Sequence, residues 1–177
     1  MVRDASVETP FSVERIPLVP TNLLAPAMAR YVSGKKPRVL ALSSRGHIGY
    51  YIEQVSVDEG ARRALESCAS RAGTPCRVIG VDDVFTVPLP SSMKITGFFH
   101  PAANQQIAAD QREATARRLS GASTGWSAVA VGGGGQAGVA TQAAGEQAAV
   151  DDAIAECARR DHGCRVIAIG PWAVTPK

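Results

Sequence analysis

The glycine-rich run that follows residues 126–131 has the spacing that best fits a ligand site. Gly133, Gly135 and Gly138 satisfy the pattern G-x-G-x-x-G directly after an apolar segment. In dinucleotide-binding folds this spacing lets the backbone approach a pyrophosphate. Gly133, Gly134, Gly135 and Gly138 are therefore the candidate ligand-binding residues. No acidic residue closes a second parallel strand at the proper distance, so nucleotide binding is an alternative rather than the leading function.

The four cysteines form two similar pairs, Cys68 with Cys76 and Cys157 with Cys164. Each pair joins the end of a predicted helix to the start of the next strand, where two Cα atoms can come within the ~4.4–6.8 Å that a disulfide requires. The spacings C-x₇-C and C-x₆-C, without a histidine pair, are poor for zinc. Disulfides are favoured, and buried free thiols are the alternative. Disulfides would indicate a periplasmic or exported protein, whereas free thiols would fit the cytoplasm.

The other titratable residues do not form a catalytic set. The three histidines, His47, His100 and His162, are scattered along the chain. The adjacent carboxylates at 82–83 and 151–152 fit a turn and a helix surface, and neither pair calls for acid–base chemistry. We therefore predict no catalytic residue, no metal site and no cofactor.

The charge and the apolar pattern exclude two further classes of protein. The net charge of +3 is small, and the basic residues occur as isolated pairs rather than as a stripe interleaved with aromatic residues, so we predict no nucleic-acid partner. No apolar run approaches the ~20 residues that span a bilayer, so we predict no membrane span.

An internal repeat organises the chain. With an offset of 89 residues, Gly46 matches Gly135, Gly49 matches Gly138 and Cys68 matches Cys157, and with an offset of 88, residues 76–79 match residues 164–167. Matches that keep glycines, cysteines and apolar runs in order indicate a duplicated structural unit. In the first copy the glycine pattern falls between two strand-like segments, so the glycine run is better interpreted as a hairpin turn.

Each copy is predicted to contain two strands, a helix and two further strands. In the first copy these elements cover residues 39–42, 47–54, 56–73, 76–81 and 84–87. The helix begins with a capping box, Ser56 to Glu59, and ends near Gly73. In the second copy they cover residues 126–131, 137–143, 146–160, 164–169 and 172–175.

The predicted fold class is α+β, with two tandem ββαββ units that form a pseudo-twofold body of antiparallel sheet with helices packed on it. Residues 1–37 contain five prolines and are expected to form an extended N-terminal segment with a short helix over residues 25–32. Residues 38–88 form the first repeat, residues 89–125 a connecting strand and helix, and residues 126–177 the second repeat.

The matched pattern is an apolar strand, a glycine turn, an alanine-rich helix that ends in Cys157, and the run from Cys164 to Ile167. It resembles a small bacterial domain of unknown function that occurs in exported proteins as single or tandem copies. Similar tandem units occur in the non-catalytic C-terminal regions of some bacterial caspase-like proteins. The resemblance implies a disulfide at each cysteine pair and an accessory role, and it supplies no catalytic residues.

The sequence thus predicts a non-catalytic binding or protein-interaction module, accessory to a larger bacterial protein or complex. Its expected partner is another protein or the parent chain, and association between copies of the chain stays open. The alternative is a small-molecule or nucleotide-binding protein that uses the groove between the two units and the glycine-rich turn.

Overall fold

The structure, a computed structural model, describes residues 3–122 and 124–177. It divides into two compact units, with unit 1 ending at Val87 and unit 2 running from Pro88 to Lys177. Each unit is a five-stranded antiparallel sheet with helices, which confirms the α+β fold class. Among the helices of the described residues, none has the length and apolar character needed to cross a membrane.

Unit 1 is built from seven main elements, which are β1 (Thr9–Pro10), α1 (Thr21–Ser33), β2 (Val39–Ser43), β3 (Ile48–Tyr51), α2 (Val57–Ala72), β4 (Cys76–Val81) and β5 (Val84–Phe85). The strand order is β1-β5-β4-β2-β3, so β1 and β3 are the edge strands. Every neighbouring pair is antiparallel.

Unit 2 has the same sequence of elements, which are β6 (Lys94–Phe98), α3 (Ala109–Gly121), β7 (Trp126–Val131), β8 (Ala137–Ala143), α4 (Glu146–Ala158), β9 (Arg165–Ile169) and β10 (Trp172–Thr175). The order β6-β10-β9-β7-β8 matches that of unit 1 strand for strand. The strand and helix expected to connect the repeats therefore correspond to β1 and α1. The structural likeness between the units extends to these elements as well as to the predicted ββαββ core.

Helix α1 is longer than the proline content suggested. We expected residues 1–37 to be extended, with a short helix over residues 25–32, but α1 spans Thr21–Ser33 and contains Pro26. Leu24, Met28 and Tyr31 recur at helical spacing and are buried to 1% exposure or less. Pro26 lies on the exposed side, so its missing N–H is tolerated there while the apolar face provides the stabilising burial.

Helix α2 follows the predicted signals. The Ser56 hydroxyl accepts the Glu59 N–H at 3.2 Å, which is the N-cap half of the predicted capping box, while the Glu59 carboxylate accepts from Arg62 and Arg63. At the other end Gly73 has a left-handed φ of 62°, and its N–H donates to the Ala69 carbonyl.

The two helices of unit 1 cover opposite faces of its sheet. Ala41 of β2 belongs to one buried cluster with Ala64 and Cys68 of α2. Because successive strand residues point to opposite faces, Tyr50 of β3 lies on the other face. There its ring centroid is 5.7 Å from the ring centroid of Tyr31 of α1. The edge of β3 therefore lies between α1 on one side and α2 on the other.

Candidate functional site

The candidate glycines of unit 2 lie in and beside the β7–β8 turn. Gly135 has a left-handed φ of 81°, and its N–H donates to the Gly132 carbonyl, while the Gly132 N–H donates to the Gln136 carbonyl. This is a three-residue hairpin turn, in which the left-handed position favours glycine. Gly46, with φ 78°, holds the same place between β2 and β3.

Gly138 serves a different purpose, which is close packing between the sheet and α4. A Cβ atom built on Gly138 would lie 2.9 Å from the Cys157 Cα atom. Its counterpart Gly49 is equally confined, because a Cβ atom there would lie 2.6 Å from the Cys68 nitrogen. The spacing between the turn glycine and this glycine is therefore explained by a hairpin with a helix packed against its second strand.

The backbone donors of the glycine turn are occupied by an internal carboxylate. Asp161, whose side chain is only 5% exposed, accepts the Gly134 N–H at 2.9 Å and the Gln136 N–H at 3.0 Å. The Gly133 N–H donates to the His162 carbonyl. Backbone hydrogen bonds from His162, Gln136 and Gly134 hold the pKa of Asp161 below its usual value. A phosphate bound at this turn would have to displace Asp161.

The four cysteines are joined as two pairs, Cys68 to Cys76 and Cys157 to Cys164. In both pairs the Cα atoms are 6.1 Å apart. Cys68 of α2 and Cys157 of α4 are fully buried on the inner faces of these helices. Each bond ties the C-terminal part of α2 or α4 to the segment that begins or precedes the next strand, so these cysteines serve the scaffold.

The histidines lie at separate places in the fold. His47 follows the β2–β3 turn, His100 precedes a short 3₁₀ turn at Pro101–Ala103, and His162 is 92% exposed beside Asp161. No group of three or more histidine, cysteine, aspartate or glutamate side chains in the described residues could hold a metal ion.

The edge of β8 in unit 2 is covered by an ionic cluster from both neighbouring helices. Arg118 of α3 donates to the two carboxylate oxygens of Glu156 of α4 at 2.6 and 2.9 Å. Glu156 also accepts the Val139 N–H at 3.2 Å, and Arg118 donates to the Val139 carbonyl at 2.6 Å. Arg160 donates to Glu156 and to the Ala137 carbonyl. The hydrogen bond from Arg118 is the main cause of the lowered pKa of Glu156.

Unit 1 has the two arginines of this cluster but not its carboxylate. Arg30 of α1 corresponds to Arg118, and Arg71 of α2 corresponds to Arg160. The residue that corresponds to Glu156 is Ser67, because Gly49 contacts Ala64 and Cys68 in the way that Gly138 contacts Ala153 and Cys157. The strand edge that is covered in unit 2 therefore borders an open groove of about 620 Å³ in unit 1. We call it the β3 groove, lined by Arg30, Tyr50, Tyr51, Arg63, Ser67 and Arg71.

Two positive charges of the β3 groove have no partner among the described residues. Arg30 and Arg71 are exposed, and neither guanidinium forms an ion pair or a hydrogen bond with any residue in the described part of the chain. Arg63 differs, because it is paired with Glu59 at 2.6 Å and lies over the Tyr51 ring at 5.9 Å. The groove thus presents two free guanidinium groups, the Ser67 hydroxyl and an aromatic surface.

Sequence reasoning did not single out Arg30, Ser67 or Arg71. The signal was a difference between the two copies. Ser67 in the first copy stands where the second copy has Glu156, while an arginine is present on each side in both copies. It becomes visible only when α1 is matched to α3 with an offset of 88 and α2 to α4 with an offset of 89.

No protein-family model matches the chain, and no curated protein or solved structure is significantly similar to it. The resemblance to tandem domains of exported bacterial proteins stays a prediction.

Proposed function

We propose that this chain is a non-catalytic binding module that recognises a carboxylate-bearing partner through the β3 groove of unit 1. The observation that carries the proposal is the difference between the two edges. Unit 2 places the Glu156 carboxylate between Arg118 and Arg160, whereas unit 1 keeps Arg30 and Arg71 and has Ser67 in the place of the acid.

The chemistry of the groove suits a carboxylate. A guanidinium group has a planar set of N–H donors that matches the two oxygens of a carboxylate, and such charge-assisted hydrogen bonds are stronger than neutral ones. Unit 2 shows that this backbone geometry accommodates a carboxylate, because Arg118 holds Glu156 through both oxygens. A ligand carboxylate placed in unit 1 at the corresponding position would meet Arg30, Arg71 and the Ser67 hydroxyl.

The proposed module works beside, or as part of, a larger bacterial protein, as the family resemblance implies. The disulfide pairing of all four cysteines favours a periplasmic or exported location, since disulfides persist in oxidising compartments.

The proposal is tested by NMR titration of the isotope-labelled chain with glutarate, inorganic phosphate and ATP. Glutarate should shift the amide resonances of Tyr50 and Ser67 and the side-chain Nε–H resonances of Arg30 and Arg71, with a Kd of about 1 mM, because exposed ion pairs contribute little each. The corresponding amides of unit 2, Val139 among them, should not move.

The matched control separates the groove from general charge. The double variant Arg30→Gln/Arg71→Gln should lose glutarate binding, whereas Arg45→Gln/Arg159→Gln removes two exposed charges elsewhere and should retain it. Glutarate binding that survives loss of the groove arginines, or preferential binding of ATP at the glycine turn, would contradict the proposal.

A further inference from the structure

The β3 strand is an edge strand whose outward backbone groups can be assigned from the hairpin. The Ser43 N–H donates to the His47 carbonyl, so this pair is hydrogen-bonded across the hairpin. Antiparallel pairs alternate, so Gly49 bonds to β2 while Ile48 and Tyr50 direct their N–H and C=O groups away from it. These outward groups face the β3 groove.

Unit 2 shows what normally covers such groups. The residues that correspond to Ile48 and Tyr50 are Ala137 and Val139. Arg160 donates to the Ala137 carbonyl, Arg118 donates to the Val139 carbonyl, and Glu156 accepts the Val139 N–H. Proteins commonly protect edge strands with charged side chains in this way, because an open edge is a template for pairing with another chain.

In unit 1 the described side chains do not cover the outward backbone groups of β3 in this way. Neither Arg30 nor Arg71 donates to a β3 carbonyl, and in the described residues no acidic side chain accepts the Tyr50 N–H. The edge therefore combines unused backbone donors and acceptors with positive charge from α1 on one side and α2 on the other. An extended chain segment that carries a carboxylate complements both features.

We propose that the occupant of the β3 groove is an extended segment of a protein partner, which adds as a strand beside β3 and places an acidic side chain between Arg30 and Arg71. This inference rests on the proposed function and specifies the partner. Backbone hydrogen bonds to Ile48 and Tyr50 supply affinity that is independent of sequence, and the arginines select the acidic residue. The rings of Tyr50 and Tyr51 supply contact surface for the neighbouring side chains of the segment.

The first experiment uses a pool of acetylated heptapeptide amides with a central glutamate and mixed valine, threonine, serine and tyrosine elsewhere. The glutamate pool should shift the groove resonances of the intact chain. Its affinity should be at least about tenfold higher than that of a matched pool with central glutamine, because hydrogen bonds to charged groups are stronger than neutral ones. Exchange of the Tyr50 and Ile48 amide protons with solvent should slow on binding.

The second experiment tests strand addition with N-methylated versions of the best peptide. Because alternate amides of a strand face its neighbour, methylating one alternating set should weaken binding at least about tenfold, while methylating the other set should have little effect. The second set is the matched control for changes in peptide conformation.

The outcomes distinguish the inference from the proposed function. If glutarate binds the groove as tightly as the peptide and neither methylation matters, strand addition is wrong while carboxylate binding stands. If phosphate or ATP binds the groove and the peptides do not, a protein partner is excluded. If no probe shifts Tyr50, Ser67, Arg30 or Arg71, both proposals fail.

Discussion

Replacing Gly138 with alanine should destabilise unit 2, because the added methyl group would occupy space that α4 already fills. The new Cβ atom would lie 2.9 Å from the Cys157 Cα atom, and ordinary contact begins at 3.4 Å. Both sides of this contact are backbone, so no side chain can rotate away. The Ala153 carbonyl oxygen and the Cys157 nitrogen lie closer still, so helix α4 would have to retreat by about an ångström along its inner face, which weakens the contacts of Ala149 and Ala153 as well.

The magnitude follows from the cost of overpacking. Strain of this kind costs about 1–3 kcal/mol, and the upper half of that range is expected where only backbone can move. For a domain of the size of unit 2, about 1 kcal/mol lowers the melting temperature by about 4–8 °C, so a cost of about 2–3 kcal/mol means that Gly138→Ala should lower it by about 8–24 °C.

Differential scanning calorimetry measures this effect, and Gly97→Ala is the matched control. Gly97 lies in β6 of the same unit with no atom within 4 Å of its would-be Cβ atom, so its replacement should leave the melting temperature nearly unchanged. A fall for Gly138→Ala no larger than that for Gly97→Ala would refute the packing interpretation of this glycine.

Three further predictions concern the scaffold. None of the four cysteines should be alkylated before reduction, and reduction should lower the free energy of unfolding by about 2–3 kcal/mol per bond in denaturant titrations. The pKa of Glu156 is lowered chiefly by Arg118, so the ionised carboxylate stabilises the fold above the usual carboxyl pKa and this stabilisation is lost as the pH falls. Glu156→Gln should therefore be less stable than the natural protein at about pH 7 and equally stable at about pH 2. Equal stability at both pH values would show that the cluster is only a surface pair. Arg38 donates to the carbonyls of Tyr31 and Val32 at the end of α1, so Arg38→Met should cost about 2–3 kcal/mol in urea titrations while exposed Arg45→Met costs little, and equal costs would contradict this capping role.

The framework of strands and helices was predictable from local signals. Short apolar strands, the Ser56 N-cap and the Gly73 helix end each have a short-range physical cause, and the strands and the helix between them follow the same order in the second half of the chain. Helix α1 was underestimated because the five prolines of residues 1–37, Pro26 among them, disfavour a long helix locally. Burial of Leu24, Met28 and Tyr31, which outweighs that preference, depends on the whole sheet.

The β3 groove could not be predicted from local patterns. Arg30 and Arg71 have the sequence signature of ordinary surface arginines, and they come together only because α1 and α2 lie on opposite faces of one edge strand. Ser67 is recognised as part of the site only by comparison with Glu156, which occupies the corresponding place in the other unit. Such a site is found by comparing the two folded units, and the spacing of residues along the sequence does not reveal it.

The most direct test of the account is to supply unit 1 with the carboxylate that unit 2 already has. In Ser67→Glu the new side chain should pair with Arg30 and Arg71, abolish the glutarate-induced shifts at Tyr50, and raise the apparent Kd by at least about tenfold. Ser120→Glu, which adds the same charge to an exposed position of α3, is the control and should bind glutarate normally. Unchanged glutarate binding by Ser67→Glu would contradict the claim that the β3 groove is a carboxylate site.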